Sequence, residues 1–325
     1  MNRRDFLKAT AAVMGAMGLT QGLNTSHFAW SAETQWKTKL RKAMISEGMP
    51  VEATLKMWKE NGFEGTETTA WDAGYEKALE ARKMAEKCGM EIHSVMRAWT
   101  NFNSKDDAAV KKDIESVELA LQSAVGFGAT AILLVPCRTD APAIKPRDFK
   151  IEFDPETLMV TKVVEGDNKP FQAYIDIQNY STKISIECLK KLIPAAEKAG
   201  VVIGVENVWN NLWITPDFFA AFVRSFNSPW IRSYLDLGNH IKYAETEKYV
   251  YALGDTIVRL HAKDYDFNKG DSFAGFVELR KGTVNWPAVR QAIEDVNYNG
   301  FITIEGGSDP VAQQSKDLDL IIAGK

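Results

Sequence analysis

The chain has 325 residues, of which 45% are hydrophobic and 25% charged, and its formal net charge is −4. This is ordinary globular composition, sufficient for one large α/β domain or two small ones, and no basic block beyond the N-terminus indicates nucleic-acid binding. The three cysteines, Cys88, Cys137 and Cys188, are widely spaced and indicate neither a disulfide framework nor a zinc ribbon.

The N-terminus has the features of an export signal. Arg3 and Arg4 precede "FLK" within "NRRDFLKATAAVMGAMGLT", and the apolar run 9–19 is too short to span a bilayer. The segment resembles a twin-arginine signal peptide, which exports proteins already folded; a basic amphipathic helix is the alternative. Small residues in "HFAWSAETQ" predict cleavage, so we assign 1–32 to the signal and 33–325 to one domain. We expect the domain in the periplasm, without a stable membrane anchor.

After this segment, short apolar stretches alternate eight times with longer amphipathic ones. Such alternation predicts a parallel sheet, and eight units in about 290 residues fit a closed (β/α)8 TIM barrel. An open doubly wound sheet is the alternative, but no G-x-G-x-x-G follows the first strand. Several amphipathic stretches end on a glycine that suits a left-handed helix cap: Gly62, Gly89, Gly200 and Gly300. The predicted strands are 40–46, 63–69, 90–96, 130–136, 201–207, 231–237, 257–263 and 301–307.

The connection after the fourth predicted strand, residues 138–180, is too long for a simple loop. Within it, "FKIEFDPETLMVTKVV" (149–164) predicts a hairpin with Asp154-Pro155 at its turn. The connection follows the carboxyl end of a strand, so we expect it on the active-site face of a barrel. It is then a cap over the barrel mouth, an arm toward a second subunit of a homo-oligomer, or a loop without function.

Polar residues lie near the carboxyl ends of the last four predicted strands. Because side chains alternate along a strand, and each of these is out of phase with its apolar neighbours, all four are predicted to face the lumen. A lone strand-end carboxylate is usually solvated, but three at one barrel mouth repel each other unless a cation compensates them. The mostly oxygen set predicts one divalent ion, Mn²⁺ first, with Mg²⁺, Co²⁺ and Zn²⁺ as alternatives. The four residues are Glu206, Asp236, His261 and Glu305.

These strand ends also carry a resemblance. The segments "NGFEGTET", "GVENVWN", "YLDLGNH", "RLHAKDYD", "VNW" and "ITIEGG" are similar to the xylose isomerase-like sugar isomerase and epimerase family. The resemblance runs in order from near residue 38 to the C-terminus. It implies that Glu206, Asp236, His261 and Glu305 hold one divalent metal, and that Glu206 and Glu305 flank the sugar and exchange its proton.

The sequence departs from the epimerase pattern of that family at two positions. Ketose 3-epimerases usually carry a His and an Arg where this chain has Asn239 and Phe267. Lys263, in the lumen phase, and His240 are candidate replacements. For Glu67 and His93 we weigh contact with substrate hydroxyls against a structural hydrogen bond, and for Trp209 a sugar-binding wall against simple packing. The candidate substrate-binding residues are therefore Glu67, His93, Trp209, Asn239, His240 and Lys263. Lys263 and Asp264 are also candidates for orienting His261.

Such a site supports proton abstraction next to a carbonyl, with the metal as Lewis acid and the two Glu residues as base and acid. Proton return to the opposite face of the same carbon gives epimerisation, and transfer to the neighbouring carbon gives isomerisation. We therefore expect an exported, metal-dependent sugar isomerase or epimerase with a small-molecule sugar substrate. A lyase or dehydratase on a keto-sugar or keto-glycoside is one alternative, favoured by Asn239 and Phe267. A non-catalytic sugar-binding protein is the other.

The loop "EGGSDPV" (305–311) bears on whether the sugar is phosphorylated. Gly306, Gly307 and Ser308 precede a predicted helix and form a candidate anion cradle, but Asp309 opposes a phosphate. We therefore interpret the glycine pair as room for the metal-binding Glu305 and the sugar to approach the backbone closely, and we expect a sugar without phosphate.

Overall fold

The computed structural model describes residues 36–325, so the signal predicted for 1–32 lies outside the described residues. Eight parallel strands of the described chain close into a barrel, which confirms the predicted TIM-barrel fold. The strands are β1 (Leu40–Ser46), β2 (Gly65–Thr68), β3 (Glu91–Trp99), β4 (Ala131–Val135), β5 (Val202–Glu206), β6 (Ile231–Asp236), β7 (Ile257–Ala262) and β8 (Gly300–Ile304). Neighbours in the barrel are also neighbours in sequence, and β8 pairs with β1.

Each strand is followed by an α-helix that packs on the outside of the barrel. Within residues 36–325, no helix has both the length and the apolar character needed to cross a membrane. The helices are α1 (Glu52–Glu60), α2 (Tyr75–Lys87), α3 (Asp107–Phe127), α4 (Gln172–Ala199), α5 (Pro216–Arg224), α6 (Thr246–Leu253), α7 (Trp286–Asp295) and α8 (Val311–Ile322).

Glycines cap three helices as the sequence predicts, but the prediction of a helix cap at Gly300 is wrong. Gly62, Gly89 and Gly200 follow α1, α2 and α4 with positive φ angles of 82°, 69° and 65°, which a residue without a Cβ adopts at little cost. Gly300 instead begins β8. After α7 the left-handed position is taken by Asn297, with φ 57°, a residue type that tolerates this conformation.

The apolar core has two parts because the side chains of each strand alternate between two faces. The larger part lies between sheet and helices and includes Ile203, Leu235 and Leu260. A smaller cluster contains Leu133, Val135 and Tyr234. The polar residues predicted in the lumen phase alternate with the larger core, as expected for a closed barrel.

The long connection between β4 and α4 contains an antiparallel pair, Glu152–Phe153 with Val160–Lys162. Asp154 shapes its turn, because its Oδ1 accepts the N–H groups of Glu156 and Thr157 at 2.8 and 2.9 Å. The hairpin packs against α5 through Phe153, whose ring lies 4.7 Å from that of Phe218.

The insertion ends earlier than the sequence predicts, because α4 already begins at Gln172. Its first turns bury polar side chains, including Gln178, Ser181 and Thr182, so the apolar periodicity that indicates a helix is missing there. Trp213 donates its indole N–H to the Thr182 hydroxyl at 3.0 Å and its backbone N–H to the Gln178 side chain at 3.3 Å. The Ser181 hydroxyl accepts a hydrogen bond from the Asn103 side chain at 3.0 Å.

Candidate metal centre

The carboxyl ends of β5 to β8 bring the four predicted residues together. Glu206 and Asp236 end β5 and β6, His261 lies in β7 and Glu305 directly follows β8. Asp236 is paired in register with His261, and His261 with Thr303 in β8. One ligand atom from each of the four residues lies within 4.8 Å of the others. The shared lumen phase therefore produces one compact cluster.

The two carboxylate oxygens of Asp236 differ in their hydrogen bonding. Its Oδ1 accepts the N–H groups of Gly238 and Asn239 at 2.8 and 2.6 Å. Its Oδ2 is buried without a hydrogen-bond partner. Burial raises the pKa of Asp236 to about 8, and the neighbouring Glu305 and Glu206 act in the same direction, although Lys263 opposes them. An unpaired buried carboxylate oxygen is costly unless a cation compensates it.

His261 is fully buried and uses both ring nitrogens. Its Nε2 lies 2.6 Å from Oε2 of Glu67, while Nδ1 lies 3.1 Å from Oε2 of Glu305 and 3.6 Å from Oε1 of Glu206. Burial lowers the pKa of His261, but the carboxylate of Glu67 and the other carboxylates raise it well above its ordinary value. The nitrogen on the cluster side is therefore Nδ1.

Glu206 and Glu305 sit in contrasting environments. Burial raises the pKa of Glu206. Burial acts in the same direction on Glu305, but hydrogen bonding and charge from His261, together with the charge of Lys263, lower its pKa overall. Lys263 Nζ lies 2.9 Å from Oε2 of Glu305. Two carboxylates whose pKa values are pushed apart are suited to separate acid and base roles.

The donor atoms of this cluster suit a divalent cation. Three carboxylates and one imidazole nitrogen provide a mostly oxygen donor set of the kind that Mn²⁺ and related ions accept. Asp236 belongs to the same cluster, and its Oδ2 has no hydrogen-bond partner. Lys263 is the cation that the structure places beside these carboxylates, 2.9 Å from Glu305 and 3.9 Å from Asp236.

Glu67 and His93 are hydrogen-bonded to other side chains inside the barrel. Both are fully buried. Glu67 accepts hydrogen bonds from Ser94 and Tyr234 in addition to its contact with His261. His93 stacks on Phe301 at a ring distance of 4.1 Å, and its ring nitrogens are bonded to Arg259 and Thr303. These contacts favour the alternative, a structural hydrogen bond, for both residues, and their contact with substrate hydroxyls stays a prediction.

Asn239 and His240 are used within the loop after β6. The Asn239 side chain donates to the carbonyl of Asn207 at 3.1 Å. His240 is buried, its Nε2 lies 2.9 Å from the carbonyl of Val208, and burial lowers its pKa to about 4. Its Nδ1 has no hydrogen-bond partner. These contacts give both residues a role in holding the loop, and their predicted contact with the substrate stays a prediction.

Trp209 and Lys263 remain at the barrel mouth. The Trp209 ring lies 4.9 Å from that of Phe273 and 5.0 Å from that of Phe276. Lys263 Nζ lies 4.9 Å from the centre of the Phe276 ring, so this aromatic wall begins beside the carboxylate cluster. Phe273 is 76% exposed. No sequence pattern indicated Phe273 or Phe276, because they lie in elements of two or three residues on the excursion between β7 and α7.

Asp264 does not orient His261, so that prediction is wrong. Its carboxylate accepts the N–H groups of Tyr265, Gly282 and Val284 and the indole N–H of Trp286. A Cβ at Gly282 would come within 2.2 Å of Asp264 Oδ1. Asp264 therefore fixes the excursion after β7, which carries the aromatic wall. The carboxylate that contacts His261 at Nε2, the nitrogen away from the cluster, is that of Glu67.

The candidate anion cradle after β8 already contains a carboxylate. Oε1 of Glu278 accepts the Ser308 N–H at 2.6 Å and its hydroxyl at 2.8 Å. A Cβ at Gly307 would lie 2.7 Å from Glu278 Oε2, and Gly306 and Gly307 have positive φ angles of 84° and 90°. The glycines are therefore explained by backbone conformation and by Glu278, not by a metal-binding Glu305.

A family model described as xylose isomerase-like TIM barrel matches residues 55–323, and a model of the twin-arginine translocation signal sequence matches residues 1–20. An uncharacterized protein of Methanocaldococcus jannaschii is 26% identical over 149 residues, which cover 43% of this chain and 50% of that protein. The match thus spans half the length of that relative.

Solved structures share the fold at low sequence identity. A 3-keto-D-glucoside 4-epimerase from E. coli has a TM-score of 0.64 at 14% identity, covering 87% of this chain and 99% of that one. A D-tagatose 3-epimerase-like protein has a TM-score of 0.65 at 17% identity, with coverage of 87% and 98%. A D-allulose 3-epimerase from Methylomonas sp. has a TM-score of 0.60 at 19% identity, with coverage of 84% and 86%.

Proposed function

The chain belongs to the xylose isomerase-like TIM-barrel family, and from this we propose that it is an exported sugar epimerase or isomerase dependent on one divalent metal ion. The observation that carries the proposal is the cluster of Glu206, Asp236, His261 and Glu305 within 4.8 Å. We assign Mn²⁺ as the preferred ion because the donor set is mostly oxygen. We assign the periplasm as the location because the N-terminal segment matches a twin-arginine signal.

Glu206 and Glu305 carry the proton transfer in this proposal. A bound divalent ion supplies a Lewis acid for the negative charge that develops beside the substrate carbonyl. Glu305, whose pKa is lowered by His261 and Lys263 against the effect of burial, is ionised at neutral pH, so we assign it the role of the general base that takes the proton. Glu206, whose pKa is raised by burial, is suited to hold a proton and return it. Return to the opposite face of the same carbon gives the epimer.

We propose a sugar or keto-glycoside without phosphate as substrate. The aromatic wall formed by Trp209, Phe273 and Phe276 supports binding of a sugar ring beside Lys263. The carboxylate of Glu278 at the Ser308 N–H repels a phosphate at the position where many barrels bind one. The names of the similar structures, a 3-keto-D-glucoside 4-epimerase among them, agree with a carbonyl-bearing sugar.

A lyase acting on a keto-sugar or keto-glycoside is the second candidate, because it shares the first proton abstraction. The observation that favours it is the occupation of the usual epimerase positions by Asn239, which holds a loop, and by Phe267, which lies 5.2 Å under Arg147. In the lyase reaction, Lys263, which lies beside Glu305, donates a proton to the departing group.

A proton–deuterium exchange screen tests the proposal. Free ketoses, aldoses and keto-glycosides are incubated in D₂O with the purified protein and Mn²⁺, and products are followed by NMR. Deuterium at a carbon next to the carbonyl, together with a new epimer or isomer, supports the proposal. Loss of a substituent identifies the lyase. Saturable sugar binding without any exchange indicates the non-catalytic alternative and contradicts catalysis.

A further inference from the structure

We propose that Glu67 positions His261 for metal binding by holding the proton on Nε2, so that Nδ1 is presented to the carboxylate cluster. The inference rests on the proposed metal site, and it assigns Glu67 a role that differs from substrate binding. A metal-binding histidine commonly donates its other ring N–H to a carboxylate, which fixes the ring orientation and raises its basicity.

The geometry at His261 distinguishes its two nitrogens. Nε2 lies 2.6 Å from Oε2 of Glu67, whereas Nδ1 faces Glu305 at 3.1 Å and Glu206 at 3.6 Å. An ionised carboxylate only accepts hydrogen bonds, so Nε2 donates to Glu67. In the neutral ring, this leaves the lone pair on Nδ1, the nitrogen within the cluster.

Glu67 is itself fixed by residues that reach it across the lumen. Its Oε1 accepts the Ser94 hydroxyl from β3 at 2.8 Å and the Tyr234 hydroxyl from β6 at 2.9 Å. All of these groups are fully buried. A Cβ at Gly204 would lie 3.0 Å from the Tyr234 ring, so the absence of a side chain at this position of β5 leaves room for the ring. One carboxylate oxygen of Glu67 is therefore hydrogen-bonded to Ser94 and Tyr234, and the other contacts His261.

The test compares metal affinity and the His261 N–H signal in two variants that make the same chemical change. Glu67→Gln alters the buried carboxylate, and Glu91→Gln alters an exposed one that pairs with Arg41 at the opposite end of the barrel. The Mn²⁺ dissociation constant is measured from the EPR signal of the free ion. The imidazole N–H signals of ¹⁵N-labelled, metal-free protein are recorded by NMR, with His93 and His240 as internal references.

We expect Glu67→Gln to raise the Mn²⁺ Kd by about tenfold to a hundredfold and to shift or remove the low-field His261 Nε2–H signal. Glu91→Gln is expected to change neither. A Glu67→Gln protein with a Kd within twofold of wild type and an unchanged His261 signal overturns the inference. Wild type that binds no Mn²⁺ overturns the proposed function as well, so the two failures are distinguishable.

A second variant serves if Glu67→Gln does not fold. The double variant Ser94→Ala/Tyr234→Phe keeps the carboxylate and removes both hydroxyl donors to its Oε1. We expect its Mn²⁺ Kd to rise at least threefold, with a shifted His261 Nε2–H signal. An unchanged Kd and an unchanged signal in the folded double variant overturn the role of Glu67.

Discussion

The ammonium group of Lys263 lies 2.9 Å from Oε2 of Glu305, so a lysine is part of the same charge cluster as the proposed metal ligands. We predict that Lys263→Met binds Mn²⁺ about tenfold more tightly, which corresponds to about 1.4 kcal/mol of removed repulsion. The same variant is expected to lose substrate turnover, because Lys263 lowers the pKa of the proposed base Glu305 and lies beside the aromatic wall that supports sugar binding. Mn²⁺ titration and steady-state kinetics test the two effects separately, and weaker metal binding in Lys263→Met contradicts the prediction.

Glu206→Gln and Glu305→Gln are each expected to reduce substrate proton exchange by about a hundredfold or more. An amide has nearly the same shape as the carboxylate but is not a base at neutral pH. Because both residues are proposed metal ligands, the metal content of each variant is measured, and exchange rates are compared at saturating Mn²⁺. Near-normal exchange in either metal-replete variant contradicts the scheme with two acid–base groups.

Metal removal is expected to destabilise the folded protein. Ligand that binds only the native state adds about 2.7 kcal/mol at a concentration of 100 times its Kd. A chelator should therefore lower the melting temperature, and excess Mn²⁺ should restore it. Asp236→Asn, which changes the residue with the unpaired buried oxygen, should respond less to both. A melting temperature that ignores chelator and added metal contradicts the metal site.

Stability below neutral pH should depend on His240, whose pKa burial lowers to about 4. The folded protein keeps this ring neutral, whereas the unfolded chain takes up a proton below its ordinary pKa of about 6.5. The free energy of unfolding therefore falls as the pH drops from 6.5 toward 4, with up to about 3 kcal/mol from His240. Denaturant titrations of wild type and His240→Gln test this. His93, also buried with a lowered pKa, leaves a residual slope, but equal slopes in both proteins contradict the prediction.

Sugar phosphates should be poor substrates. We expect kcat/KM for a free sugar to exceed that for its phosphate by tenfold or more, about 1.4 kcal/mol in transition-state binding. The carboxylate at the Ser308 N–H is the physical reason, so Glu278→Gln should narrow the ratio. Matched sugar and sugar-phosphate pairs give the measurement. A tenfold preference for the phosphate in wild type contradicts the prediction.

The sequence determined the barrel and the residues at its mouth because both follow from local periodicity. Strand and helix stretches alternate along the chain, and the lumen phase of Glu206, Asp236, His261 and Glu305 can be read from their immediate neighbours. Parallel strands in a closed barrel place their carboxyl ends on one face. Four residues on consecutive strands therefore meet without any information about distant contacts.

Only the tertiary structure decided which side chains support that site. Glu67 and His261 are 194 residues apart in sequence, and the register between β2 and β3 shifts at Thr66/Glu67, so that Ser94 and not His93 is paired with Glu67. The start of α4 could not be predicted because Gln178, Ser181 and Thr182 interrupt the apolar pattern of its buried face. Periodicity specifies which face of a strand or helix a side chain occupies. Register shifts and polar packing depend on contacts between residues that are far apart in sequence and meet only when the barrel closes.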